Sequence, residues 1–154
     1  MARFQPWSSF TAPTPETPAM PEKVVVVGAS GFGRETLDTL EAMLRAGRGP
    51  EVVGVVDDAP SVDNLARLAA RDTRYLGTVN DWIAADSDKS FVLAIGSPDI
   101  RHRLAEQLES AGMRAFTAIH PSATIGRNSR IAEGTVVSAR AVIWLIRFEG
   151  VGGV

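Results

Sequence analysis

Ile119, Ile125, Ile131, Val137 and Ile143 place an aliphatic side chain at every sixth position in the last third of this chain. Four residues after each of the first four stands something small: Ala123, Ser129, Thr135 and Ala141. A period of six matches neither the period of about 3.6 of a helix nor the period of about 2 of a strand. It fits a parallel β-helix with triangular coils. Each hexad makes one side, the aliphatic residue fills the interior, and the small residue turns the corner.

The earlier part of the chain follows a different rule. Val24-Val25-Val26-Val27 is an unbroken β-branched run, suited to a central parallel strand buried on both faces. Gly28-Ala29-Ser30-Gly31-Phe32-Gly33 follows at once, a glycine-rich turn leading into a helix from Gly31 to about Ala46. Leu37, Leu40 and Leu44 line one stripe of that helix with Met43 beside them, and Gly47 and Gly49 end it. Further strands are expected at Glu51–Asp57, Phe91–Ile95 and Arg114–Ile119. Residues Pro60–Arg74 suit a polar loop with a short helix. Short and long helices are expected around Asp81–Ala85 and over Asp99–Ala111. Strand and helix in alternation define an α/β fold, a Rossmann-like parallel sheet, followed here by the first coil of a β-helix.

Composition narrows the class of partner. The net charge of −2 gives no electrostatic reason to expect nucleic acid or an anionic membrane. Cysteine is absent, which excludes disulfides, thiolate metal sites and cysteine nucleophiles. The two histidines, His102 and His120, have no metal-ligand spacing. No apolar run approaches the roughly 18–20 residues of a membrane span, and a cytoplasmic location is expected. Pro6, Pro13, Pro15, Pro18 and Pro21 mark residues 1–22 as a disordered extension, with Met20 as an alternative start.

The candidate site lies at the carboxyl ends of the strands. Gly28 permits a tight turn, Gly31 lets the backbone approach an anion, and Gly33 lets the helix lie against the sheet. The spacing is G-x-x-G-x-G, not the G-x-G-x-x-G of most dinucleotide binders. A tight turn without a ligand remains the alternative. Asp57, at the end of the second strand, suits ribose or sugar hydroxyls, or else a solvated turn. Gly96-Ser97 closes the third strand at the same edge. Arg34 and Arg101, at helix starts, suit a phosphate, although a solvated helix face is the preferred reading for each. His102 reads as a surface residue and His120 as a structural corner.

The loop Gly28-Ala29-Ser30-Gly31-Phe32-Gly33-Arg34-Glu35, the Asp57-Asp58 strand end, Ala94-Ile95-Gly96-Ser97 and Ile119-His120-Pro121-Ser122-Ala123 arrive in order. Together they resemble the sialic acid O-acetyltransferase NeuD family, which includes PglD-type acetyltransferases of bacterial UDP-amino-sugars. The resemblance implies a nucleotide-sugar-binding domain, then a left-handed β-helix that forms trimers and binds acetyl-CoA between subunits. By position it implies substrate contacts at Ser30, Gly31, Phe32, Asp57, Asp58 and Gly96. Phe32 departs from the histidine frequent there. The family's catalytic base is a histidine on a later coil, and none follows His120 in this sequence.

The expected organisation is therefore a sugar-nucleotide domain over 23–118, a short hexapeptide-repeat segment over 119–143 and an irregular tail over 144–154. The hexad period fails at Arg147 and Glu149, which suggests a truncated family member, inactive alone and doubtful as a trimer. Two alternatives stand beside it: a non-catalytic sugar-nucleotide-binding module, and a fragment of a nicotinamide-dependent oxidoreductase. The glycine spacing and the hexads argue against the latter.

Overall fold

The computed structural model describes residues 22–85 and 90–144. The expectations for residues 1–21 and 145–154 fall outside that range. Four strands make a parallel sheet: β1 (Lys23–Val27), β2 (Glu51–Val56), β3 (Ser90–Leu93) and β4 (Arg114–Ala115), in the order β2-β1-β3-β4. Helices α1 (Gly31–Arg45), α2 (Val62–Ala69), α3 (Val79–Ala84) and α4 (Pro98–Ser110) connect them.

The valine run is buried on both sides, as its composition requires. Val24 and Val26 pack with Leu37, Leu40 and Leu68 from α1 and α2. Val25 and Val27 pack with Val79, Trp82, Leu104 and Leu108 from α3 and α4. Alternate side chains of one strand thus anchor two different helix layers. The helix α3 begins two residues earlier than expected. Thr78 and Asp81 form a reciprocal capping box that fixes its start.

The last expected strand divides in two. Phe116 donates its N–H to the Phe91 carbonyl, and the chain then leaves the sheet. Thr117 Oγ1 instead accepts the N–H of Gly134 at 3.0 Å. From there β5 (Ala118–Ile119) pairs in parallel with β7 (Val136–Val137), and β6 (Thr124–Ile125) pairs with β8 (Val142–Ile143). The partners Ala118↔Val136 and Thr124↔Val142 are each 18 residues apart, one triangular coil of three hexads. The hexads therefore begin a parallel β-helix. Among the described residues two of the three sides are paired, and the side carrying Ile131 is not. Only Val137 of the five aliphatics is buried, and the other four are half-buried.

Candidate functional site

In a sheet ordered β2-β1-β3-β4, the chain leaves β1 for β2 on one side and later returns for β3 on the other. The loops after β1 and β3 diverge, and a crevice opens between them at the carboxyl edge. Gly28 sits at that point with φ of +117°, and a Cβ there would stand 2.6 Å from the Ala94 carbonyl oxygen. At Gly33 a Cβ would collide with the Gly28 carbonyl oxygen. Both positions need glycine, so that α1 can start directly above its strand.

Gly31 and Gly96 are different. Beside a Cβ at Gly31 only Arg34 Nη2 comes within 4 Å, at 3.9 Å, and beside Gly96 nothing does. Both are exposed and border open space. The first-turn N–H groups of α1 have no intrahelical partner. The exposed Ser30 hydroxyl caps none of them, and no acidic residue lies in that turn. The helix therefore presents uncapped donors and its positive end to the crevice.

Phe32 is half-buried and packs against the core layer that contains Leu37 and Ala118. It also lines a cleft of about 230 Å³ with Leu93, Arg101, Gly134, Thr135 and Val136, where the first coil meets the sheet edge. A larger groove, about 480 Å³, runs beside Leu37, Pro50, Val52, Arg71 and Arg74. Lys23 and Glu51 also line it, at the amino ends of β1 and β2, so it lies at the edge of the sheet opposite the glycine loop.

The two aspartates both hold backbone. Asp57 Oδ2 accepts the Ala29 N–H at 2.8 Å, and its Oδ1 accepts the Ala59 N–H at 2.9 Å. Asp58 Oδ1 accepts the Val79 N–H at the start of α3, at 2.9 Å. Tyr75 donates its hydroxyl to the Asp57 carbonyl oxygen at 2.9 Å. Burial raises the Tyr75 phenol above its usual value, and the neighbouring Asp57, Asp81 and Asp58 charges add to this.

Arg34 is half-buried, whereas Arg101 is exposed on its helix, in line with the solvated reading. Arg34 Nη1 bonds Asn64 Oδ1 at 2.9 Å and reaches the Ala29 carbonyl oxygen at 3.4 Å. Arg101 Nη1 folds back onto the Ile95 carbonyl oxygen at 3.1 Å. His102 is an exposed residue paired with Glu106 at 3.3 Å. His120 Nδ1 accepts the Ser122 N–H at 3.0 Å, and Ser122 Oγ accepts the Arg140 N–H at 3.1 Å, so the His120 ring braces its own turn while Ser122 ties one coil to the next. Among the described residues no cluster of His, Asp and Glu suited to a metal is present, and no helix is long and apolar enough to cross a membrane.

A parallel sheet with an uncapped glycine loop at its switch point, continued by hexads, defines a Rossmann-like α/β unit joined to the start of a β-helix. A family model described as the PglD N-terminal domain matches residues 23–108, and the chain belongs to that family. The UDP-N-acetylbacillosamine N-acetyltransferase of Bacillus subtilis (strain 168) is 28% identical over 121 residues, covering 77% of this chain and 52% of that protein. PerB from Caulobacter crescentus, solved with CoA and GDP-perosamine, superposes with a TM-score of 0.62 at 25% identity, covering 79% of this chain and 53% of that one. The acetyltransferase domain of PglB from Neisseria gonorrhoeae FA1090, solved with acetyl coenzyme A, gives 0.61 at 27% identity, covering 79% and 55%. The chain spans about half the length of these relatives.

Proposed function

We propose that this chain is the nucleotide-sugar-binding part of an acetyltransferase that uses acetyl-CoA to acylate a nucleotide-linked amino sugar. Residues 23–118 would form the binding unit and residues 119–143 the start of a left-handed, trimer-forming β-helix in the cytoplasm. The observation that carries the reading is the uncapped start of α1 beside open space at Gly31 and Gly96. That arrangement suits a diphosphate, with the N–H groups of Gly31 and Phe32 and the Ser30 hydroxyl as donors. Asp57 and Asp58 retain lone pairs for sugar or ribose hydroxyls beside the backbone N–H groups they already hold.

Acetyl transfer needs a base to take the proton of the acceptor amine as it attacks the thioester carbonyl. His102 lies on the surface with Glu106, and His120 is bound to its own turn. No transfer step is assigned to either. Among the described residues the β-helix offers two strand pairs, and no residue here is assigned to acetyl-CoA.

Calorimetry with a UDP-linked amino sugar, a GDP-linked one and NADH tests the binding reading. Saturable binding of a nucleotide sugar without NADH binding is expected; NADH binding alone would overturn it. A second reading, binding without catalysis, draws on the placement of the two histidines, His102 on the surface with Glu106 and His120 held by its own turn. Thioester consumption by the chain with acceptor present would exclude that second reading.

A further inference from the structure

The connection between β2 and α2 grips the glycine loop twice. Asp57 takes the Ala29 N–H, while Asn64 holds Arg34, whose Nη1 reaches the Ala29 carbonyl oxygen. Ala29 is fully buried, and both its N–H and its carbonyl oxygen are engaged. Asn64 is itself fixed, since its N–H is capped by Ser61 Oγ at 3.2 Å in the first turn of α2.

Arg34 differs from Arg71 and Arg45, the ion-paired arginines of this layer. Arg71 is paired with Asp38 and Glu41, and Arg45 with Glu41. Among the described residues Arg34 has no carboxylate partner, and it is half-buried. Its Nη2 is the one atom near the open side of Gly31. The partner that orients it is an amide oxygen. An amide fixes the direction of the guanidinium without cancelling its charge, whereas an aspartate would do both.

We infer that Asn64 is a positioning residue that holds Arg34 as the group recognising the diphosphate, and that the pair sets the preference for a nucleoside diphosphate over the bare nucleoside. This rests on the nucleotide-binding reading above and deepens it. The charge stays available because nothing on α2 neutralises it, and it sits beside a helix end already positive.

The test uses the full chain and calorimetry with UDP, UMP and uridine at two salt concentrations. Arg34→Gln should weaken UDP about tenfold, the equivalent of one charge-assisted contact, and leave uridine unchanged. Asn64→Asp keeps an oxygen for Arg34 and suits the first turn of α2, so its melting temperature should not fall. Its UDP affinity should nonetheless drop severalfold, with a flatter salt dependence. A merely structural role would leave the UDP-to-uridine ratio of Asn64→Asp unchanged, and that result overturns the inference while nucleotide binding stands. Should the unaltered chain bind neither UDP nor GDP, the binding reading fails and takes this inference with it. If Arg34→Gln does not fold, Asn64→Asp decides the question alone.

Discussion

Asp57 Oδ2 lies 2.8 Å from the Ala29 backbone nitrogen, so the end of β2 shapes the loop that follows β1. A carboxylate expected to meet ligand hydroxyls is first of all a brace. Its two oxygens hold Ala29 and Ala59, and the buried Ala29 N–H has no other partner to turn to.

Replacing Asp57 with Ala should destabilise the chain by about 2 kcal/mol, because a buried donor is left unpaired. Asp57→Asn keeps one accepting oxygen and should cost about half as much. Urea denaturation of the two variants would show the order, and equal midpoints would contradict the bracing role.

The glycines of the loop should separate into two kinds. Gly33→Ala drives a methyl into the Gly28 carbonyl oxygen and should cost at least about 2 kcal/mol. Gly31→Ala meets only Arg34 Nη2 at 3.9 Å, so stability should hold while nucleotide affinity falls. Parallel melting curves and UDP titrations read both effects. Loss of stability at Gly31 with none at Gly33 would refute the assignment.

A third expectation concerns acid. Glu22 Oε1 accepts from Ser90 Oγ at 2.6 Å and from Arg114 at 2.7 Å, clamping β3 and β4 at the amino edge of the sheet. The Ser90 hydrogen bond holds the Glu22 carboxyl below its ordinary 4.5; burial opposes this, and Arg114 adds to the lowering. A group whose value is lowered on folding stabilises the fold above its unfolded value, and that contribution vanishes as pH falls through the folded one. Glu22→Gln should therefore be less stable than the parent near pH 6, with the gap closing on acidification below about pH 4. A gap that stays constant across that range would argue against the clamp.

The hexads supply a fourth. Val137 is buried at 3% exposure, so Val137→Ala should cost about 1–2 kcal/mol. Ile143 is only half-buried, and Ile143→Ala should cost less than Val137→Ala despite removing more carbon. Thermal denaturation of the pair gives the ranking.

What was readable in advance depended on periodicity. The valines of β1 are an unbroken run buried as expected, and the aliphatics from Ile119 to Ile143 repeat at an interval that a coil satisfies, although only Val137 of the five is buried. The division between β4 and β5 was not readable, because Arg114–Ile119 is a continuous strand-like run. Only a long-range bond from Phe116 to Phe91 and the pairing of Ala118 with Val136 divide it. The start of α3 has a local signal, Thr78 with Asp81 three residues on, which places it two residues before Asp81. Asn64 had none. One asparagine among the many polar residues of Pro60–Arg74 acquires its contact from Arg34, 30 positions earlier, and no local pattern carries that. Asp57 and Asp58 were located correctly at the strand end, but their backbone partners depend on how three loops converge.

The register of the coil carries a rule of its own. Because Ile119 rests on Val137 and Ile125 on Ile143, the spacing of the paired positions matters more than identity at the corners. Adding one amino acid inside a paired stretch, at Val136–Val137 or Val142–Ile143, would turn the side chains after it to the other face. An extra residue at a corner leaves as a loop and keeps the rungs in step.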